Sequence, residues 1–224
     1  MAKKKTDELR VYKEHPSVDQ LITDTLRENY MPYAMSVIVS RAIPEIDGFK
    51  PSHRKLLYTM YKMGLLNGNR TKSANIVGQT MKLNPHGDAA IYETMVRLTR
   101  GNEALLMPFV DSKGNFGKVY SRDMAYAAPR YTEAKLDAFC AELFRDIDTD
   151  AVDFVDNYDG EMKEPTLLPT TYPNILVSAN TGIAVGMASN FCGFNLAEVC
   201  RTTIELIKNP EHDIISTLPA PDFT

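Results

Sequence analysis

The spacing of apolar residues predicts several short helices in the first hundred residues. Residues 17–20 (SVDQ) have the spacing of a capping box, and apolar residues follow at helical intervals from Leu21, so a helix is predicted to begin there. Pro32 is expected to kink or end this helix near Tyr30. The apolar run 33–41 fits a buried helix or a strand equally well, because its periodicity favours neither.

Three more helices are predicted between residues 51 and 100 from their end signals. The first begins at Pro51, a residue favoured in a first turn, and Gly64 ends it. The second runs from Ser73, as a possible cap, to about residue 83, and the third covers residues 89–100 with Asp88 as its N-cap. Its buried stripe is predicted to consist of Ile91, Met95 and Leu98, and its polar face of Glu93, Arg97 and Arg100.

Two strands are predicted next, at residues 105–110 and 115–119, joined as a hairpin through the turn-prone residues 111–114. Three helices with such a hairpin indicate a winged-helix (helix-turn-helix) domain in an α+β fold. Beyond it, Thr132 is predicted to cap a helix with apolar side chains at helical spacing, which places Tyr131 at a helix amino terminus. These apolar side chains are Leu136, Phe139, Leu143 and Ile147.

The second half of the chain is predicted to begin another domain. Residues 152–192 read as β-rich, with strands at 175–179 and 183–188 around a turn at 180–182, and Asn195 caps a helix that continues to about residue 208. The predicted division is an arm and helix over 1–30, a winged-helix domain over 31–155 and a partial domain over 156–224. We expect the chain to be a piece of a longer protein.

The charges are unevenly distributed, although the net charge is only −4. Residues 41–100 contain ten Lys or Arg against four acids, whereas residues 133–164 contain eleven acids against three bases. A basic face of this kind fits a polyanion such as DNA, or is simply solvated, and charge alone does not decide between them. No apolar run is long enough to span a bilayer, so no membrane partner and a cytoplasmic location are expected. The three cysteines lack metal-site spacing and are expected to be buried thiols.

Arg130 and Tyr131 form a candidate catalytic pair. A tyrosine hydroxyl titrates near pH ~10, so its attack at neutral pH needs a neighbouring cation or base to stabilise the phenolate. The alternative is an ordinary packed tyrosine beside a solvated arginine, which is the more common use of both residues. Neighbours on a regular strand point to opposite faces, so a shared substrate also requires an irregular backbone here.

Seven motifs occur in order along the chain: YAMSVIVSRAIP (33–44), DGFKPSHRK (47–55), PHGD (85–88), GNFG (114–117), RYTE (130–133), VDFVDNYDG (152–160) and GIAVGM (182–187). Together they closely resemble the A subunits of bacterial type IIA DNA topoisomerases, DNA gyrase and topoisomerase IV. The resemblance runs from about residue 17 to the end and does not separate these two. It implies that the partial domain over 156–224 is the start of an α/β tower domain.

The resemblance implies an enzyme that breaks and rejoins double-stranded DNA. Tyr131 would form a 5′-phosphotyrosyl link, with Arg130, Arg41 and His86 as further catalytic residues. The family's DNA-backbone contacts match Lys50, His53, Arg54 and Lys55, and Ile183 matches the isoleucine that wedges between base pairs. A non-catalytic winged-helix module, or a fragment that binds DNA without cleaving it, is the alternative.

The resemblance also implies partners. The expected assembly is a homodimer with the B subunit, which would bind Mg²⁺ and ATP, in the bacterial cytoplasm at the nucleoid. No acidic cluster in this chain predicts a metal site.

The chain departs from the family pattern at Asn84, where a histidine is common, and at Ala89, where a serine is common. Ala89 and Glu93 match the quinolone site, and because alanine lacks a hydroxyl we expect weaker quinolone stabilisation of cleaved DNA.

Overall fold

The computed structural model describes residues 19–102, 106–118 and 125–222, and the chain forms two compact units, Met1–Tyr33 and Ala34–Thr224. Part of the predicted capping box, residues 17 and 18, lies outside the described residues. Helix α1 covers Ile22–Thr25 and is followed by a π-helical segment, Leu26–Tyr30.

Helix α2 covers Met31–Val37, and a second π-helical segment follows at Ile38–Ala42. The apolar run 33–41 is therefore helical. The predicted end of the helix near Tyr30 is wrong, because α2 begins at the next residue, Met31. Pro32 lies in the first turn of α2, and the helical backbone continues through it from the π-helical segment Leu26–Tyr30.

The unit Ala34–Thr224 contains helices and small antiparallel sheets, which confirms the α+β class. The remaining helices are α3 (Pro51–Lys62), α4 (Ser73–Thr80), α5 (Asp88–Arg97), α6 (Ala141–Phe144), α7 (Asn174–Val177), α8 (Leu196–Lys208) and α9 (Ile214–Thr217). The strands are β1 (Thr71–Lys72), β2 (Val110–Lys113), β3 (Glu133–Leu136), β4 (Phe154–Asp156), β5 (Lys163–Pro165), β6 (Asn180–Ile183) and β7 (Ala188–Phe191).

Helices α3, α4 and α5 pack against one another around a common core. The predicted start of α3 at Pro51 and the buried stripe of α5 are confirmed. Gly64 follows the end of α3 with a φ of 73°, a conformation that a glycine adopts without steric cost. The fully buried side chains of this core include Leu56, Leu57, Met60, Ile76 and Met95.

A three-stranded antiparallel sheet in the order β1-β3-β2 covers one side of these helices, with contacts between α3 and β3. The predicted hairpin is wrong: β2 pairs with β3, and residues 115–118 are not a strand. Ser112, expected in the turn, instead lies opposite Ala134. Burial of Ala134 and Leu136 on the inner face of β3 stabilises this pairing. Residues 105 and 119 of the predicted strands lie outside the described residues.

The helix predicted from Thr132 is also wrong. Residues Glu133–Leu136 are the extended strand β3, and they lead into a 3₁₀ turn, Ala138–Cys140, and then α6. Asp137 starts this turn by accepting a hydrogen bond from the Phe139 N–H at 3.0 Å. Tyr131 therefore precedes a strand and does not lie at the amino terminus of a helix, as had been predicted.

The last third of the described chain contains two hairpins and the long helix α8. β4 pairs with β5, and β6 pairs with β7. The strand predicted at 175–179 and the turn at 180–182 are wrong, because α7 and β6 lie there and the turn falls at residues 184–187. Helix α8 is confirmed, and the Asn195 side chain caps it by accepting the Ala197 N–H at 2.9 Å. The boundary predicted between residues 155 and 156 stays a prediction.

The structure also tests the predictions about membrane-spanning helices and about the cysteines. Among the described residues, no helix is both long enough and apolar enough to cross a membrane. The three cysteines are free thiols, but only Cys140 is buried, whereas Cys200 is half-buried and Cys192 is exposed. The prediction of three buried thiols is therefore wrong for Cys192.

Candidate active site

Arg130 and Tyr131 lie in a turn that leads into β3. The Tyr131 N–H donates to the Ala128 carbonyl at 2.9 Å, so the backbone is not that of a regular strand. The two neighbouring side chains consequently face the same side, and the Arg130 Cζ lies 4.7 Å from the centre of the Tyr131 ring. The Tyr131 side chain is 65% exposed, which leaves its hydroxyl open to a large substrate.

The backbone on both sides of this turn is attached to the first residues of α4. The Ser73 N–H donates to the Thr132 carbonyl at 3.0 Å, and the Ala74 N–H donates to the Pro129 carbonyl at 3.2 Å. These N–H groups have no partner inside α4, because the first turn of a helix leaves them free. The turn that carries Arg130 and Tyr131 thus accepts two of the hydrogen bonds that the start of α4 offers.

Three buried hydroxyl groups connect the same turn to α5. The Tyr92 hydroxyl donates to the Ala127 carbonyl at 2.8 Å and lies 2.9 Å from Thr132 Oγ1, which in turn donates to Ser73 Oγ at 2.8 Å. This cluster was not predicted from the sequence, because Ser73 and Thr132 each also fit the position of a helix cap. The sequence does indicate that Tyr92 is buried, because it lies three residues before Met95 and so on the same face of the helix.

His86 lies in the turn before α5 and is exposed. Ala89 and Glu93 are exposed on α5 itself, four residues apart and therefore on one face of the helix. The Glu93 carboxylate accepts a hydrogen bond from Arg97 Nη2 at 2.8 Å.

Arg41 and Ile183 lie near a different element, the β6–β7 hairpin. Arg41 is exposed on the π-helical segment Ile38–Ala42, which contacts β6 so closely that a Cβ on Gly182 would lie 1.9 Å from the Ala42 carbonyl oxygen. Ile183 ends β6 and is 87% exposed, more than any other large hydrophobic residue that the structure describes.

Of the four predicted catalytic residues, Arg130 and Tyr131 are in direct contact. Among the described residues, no side-chain hydrogen bond or ion pair joins Tyr131 to Arg41 or His86. The catalytic assignment of Arg41 and His86 stays a prediction.

The four basic residues at the start of α3 have different environments. Lys50 Nζ donates to the Thr181 carbonyl at 2.7 Å and so contacts β6. Arg54 is only 6% exposed and bonds Asp47 through Nε at 2.7 Å and Nη2 at 2.9 Å. Lys55 Nζ lies 3.1 Å from Glu164 Oε1 and donates to the Leu83 carbonyl at 2.9 Å. Arg54 and Lys55 are thus bound by carboxylates within the fold, and their assignment as DNA-backbone contacts stays a prediction.

His53 is half-buried and lines a pocket of about 370 Å³ that also borders Phe49 and Arg97. Burial, and after it the neighbouring cations Lys50, Arg97 and Arg54, together lower the pKa of His53 to about 3. His53 is neutral at pH 7, so it offers a hydrogen bond but no positive charge to a phosphate. The pocket does not include Arg130 or Tyr131.

Within the described ranges, no group of three or more His, Cys, Asp or Glu side chains is arranged to hold a metal ion. The described side chains therefore do not fit a metal site.

Comparisons with known proteins identify the family of this chain. A family model for the A subunit of DNA gyrase/topoisomerase IV matches residues 41–224, and the chain belongs to that family. Among its relatives, the DNA gyrase A subunit of Staphylococcus epidermidis is 47% identical over 208 residues, which cover 90% of this chain and 23% of the relative.

Two further relatives give the same result. The DNA gyrase A subunit of Halalkalibacterium halodurans is 46% identical over 208 residues, covering 90% of this chain and 25% of the relative. The DNA gyrase A subunit of Staphylococcus aureus is also 46% identical, with 90% and 23% covered. The chain thus spans about a quarter of the length of these relatives.

Proposed function

We propose that this chain carries the DNA-breaking and rejoining residue of a type IIA topoisomerase, and that Tyr131 is this residue. The observation that carries the proposal is the exposed Tyr131 ring with the Arg130 guanidinium 4.7 Å from its centre, on a turn fixed to two helices. Family membership and the gyrase relatives support it.

In the proposed reaction, the Tyr131 hydroxyl oxygen attacks a backbone phosphorus of duplex DNA. The phenolic proton leaves to solvent, the bond from phosphorus to the 3′ oxygen breaks, and that oxygen takes up a proton. The product is a 5′-phosphotyrosyl ester that retains the bond energy, so the reverse attack by the 3′ hydroxyl reseals the strand without a nucleotide. Strand passage would occur between the two steps.

Arg130 is proposed to stabilise the negative charge that develops on the phosphoryl oxygens, because its guanidinium is a fixed cation with several donors. Arg41 and His86 are proposed to join it when DNA is bound. Lys50 is proposed to contact the DNA backbone, and the exposed Ile183 to insert between base pairs and bend the duplex. Arg54 and Lys55 belong to the same proposed set of backbone contacts, and each binds a carboxylate in this structure.

The proposed architecture is a winged helix formed by α3, α4, α5 and the sheet β1-β3-β2, followed by the start of a tower domain. The proposed assembly is a homodimer of the full-length protein with the B subunit, on double-stranded DNA at the bacterial nucleoid. Mg²⁺ and ATP would be bound by the B subunit, where they would supply phosphate activation and the energy for strand passage.

The test is the covalent adduct formed by the full-length protein with Mg²⁺ and its B subunit. Denaturant-trapped complexes on 5′-labelled and 3′-labelled duplexes should show a protein-linked 5′ end that disappears in Tyr131→Phe. Tyr158→Phe is the matched control, because Tyr158 is 60% exposed and Asp159 raises its pKa, which disfavours a phenolate. Wild-type DNA binding with no adduct under any condition would favour the non-catalytic alternative.

The same assay tests the proposed quinolone site on α5. Ala89→Ser would restore a hydroxyl one helical turn before Glu93, and we expect it to increase the amount of adduct that a quinolone stabilises. An equal amount of drug-stabilised adduct in the two proteins would contradict this assignment.

A further inference from the structure

We propose that the buried hydroxyls of Tyr92, Thr132 and Ser73 position the nucleophile, so that α5 sets the rate of DNA cleavage through the turn that carries Tyr131. This inference rests on the proposed function of Tyr131. Positioning residues act through another residue, and none of these three touches the DNA in the proposed reaction.

The geometry of the cluster supports this role. Thr132 directly follows Tyr131, and Ala127 lies four residues before it, so the Tyr92 hydroxyl contacts the segment on both sides of the catalytic pair. The Thr132 side chain continues the contact to Ser73 at the start of α4. One tyrosine oxygen thereby links the two ends of the turn to two helices.

Burial makes these contacts strong and selective. Ser73 and Thr132 have no exposed surface, and Tyr92 is almost fully buried. A buried hydroxyl that loses its partner is unfavourable, so the turn is held where all three hydroxyls remain paired. The exposed Tyr131 side chain lacks such packing, so its orientation depends on the backbone beneath it.

Accurate placement of a nucleophile contributes strongly to rate, and a displacement of about 1 Å reduces rates by roughly 100-fold. A loosened turn should therefore slow the chemical step with little change in DNA affinity, because Lys50 and Ile183 are proposed to bind the DNA from other elements. If the cluster were merely structural, its substitution would lower the stability of the protein and its affinity for DNA together, or would change neither.

The experiment uses the full-length protein with its B subunit, carrying Tyr92→Phe, Thr132→Val or Thr132→Ser. Single-turnover adduct formation should slow by about 10-fold or more in Tyr92→Phe and Thr132→Val, with the DNA dissociation constant within about twofold of wild type. Thr132→Ser keeps the hydroxyl and should rescue most of the rate. Tyr172→Phe is the matched control, because it removes another buried tyrosine hydroxyl, which donates to Asn174 Oδ1 at 3.0 Å.

A second measurement does not depend on catalysis. Hydrogen exchange at the Tyr131 and Ala74 amides, whose acceptors lie in the turn, should accelerate in Tyr92→Phe but not in Tyr172→Phe. Wild-type cleavage rates together with unchanged exchange in folded Tyr92→Phe would overturn the positioning role. If the wild-type protein forms no adduct, the proposed function fails, and the exchange result alone decides whether the cluster holds the turn.

Discussion

Asp47 illustrates how much of this fold depends on one side chain. Its Oδ1 accepts from the Phe49 N–H at 3.1 Å and from Arg54 Nη2 at 2.9 Å, and its Oδ2 accepts from Arg54 Nε at 2.7 Å and the Leu168 N–H at 2.9 Å. Four donors satisfy a buried carboxylate that would otherwise carry a large desolvation cost. The DGFKPSHRK motif therefore contains a buried ion pair beside its half-buried basic residues.

We predict that Arg54→Met destabilises the protein by roughly 3–5 kcal/mol, because it leaves the buried Asp47 charge without its cation. Denaturant unfolding would measure the change. Arg201→Met makes the same chemical replacement at an exposed position on α8 and should have little effect. Equal, small effects of the two substitutions would show that the Arg54–Asp47 pair does not stabilise the fold.

His53 should make the stability depend on pH. Its pKa is about 3 in the folded protein and near the ordinary 6.5 when unfolded, so between these values only the unfolded chain binds the proton. Stability is then fully present above pH ~6.5 and falls as the pH is lowered towards ~3, by up to about 1.4 kcal/mol per pH unit. The difference in unfolding free energy between wild type and His53→Gln, measured from pH 7 to 4, should follow this slope. A constant difference would contradict it.

At the scale of elements, the sequence predicted the helices better than the strands. α3, α5 and α8 have apolar residues at helical spacing together with end signals such as Pro51 and Asn195, and these local features determine them. β3 has no such local determinant. Its strand pairing depends on β2, more than twenty residues earlier in the chain, and its apolar side chains happen to continue at helical spacing into α6.

In the candidate site too, features set by neighbouring residues were predicted and features set by distant residues were not. The motifs predicted the Arg130–Tyr131 pair, and the irregular backbone that the pair requires is present. The partners of Arg54, Lys55 and Thr132 could not be predicted, because each lies at least 7 residues away in sequence and is brought close only by packing.

The β6–β7 hairpin packs against the segment Ile38–Ala42 without room for a side chain. In Gly182→Ala the new Cβ would lie 1.9 Å from the Ala42 carbonyl oxygen and 2.8 Å from Ser189 Oγ, so the hairpin must shift. We expect a loss of about 1–3 kcal/mol in unfolding free energy. Gly78→Ala on α4 meets no atom within 4 Å and should be neutral or stabilising by up to about 1 kcal/mol. Equal stability of the two variants would argue against the close packing.

For the molecule as a whole, the net charge of −4 means that DNA affinity must come from local basic positions. We predict that the logarithm of the DNA binding constant falls linearly with the logarithm of salt concentration, and that Lys50→Ala reduces the slope by about 1. Lys163→Ala is the control, because Lys163 lies in the acidic stretch, 3.5 Å from Asp156. An unchanged slope in Lys50→Ala, measured by titration at several salt concentrations, would exclude Lys50 as a phosphate contact.

The donors around Asp47 also bear on how the protein is made. The Leu168 N–H that bonds its carboxylate and the Asn174 amide that donates to its carbonyl at 2.8 Å come 121 and 127 residues later in the chain. During synthesis, Asp47 and Arg54 leave the ribosome long before these donors exist. The motif at the start of α3 therefore cannot reach its final hydrogen bonding until residue 174 has emerged, so the two halves of this unit complete their folding together.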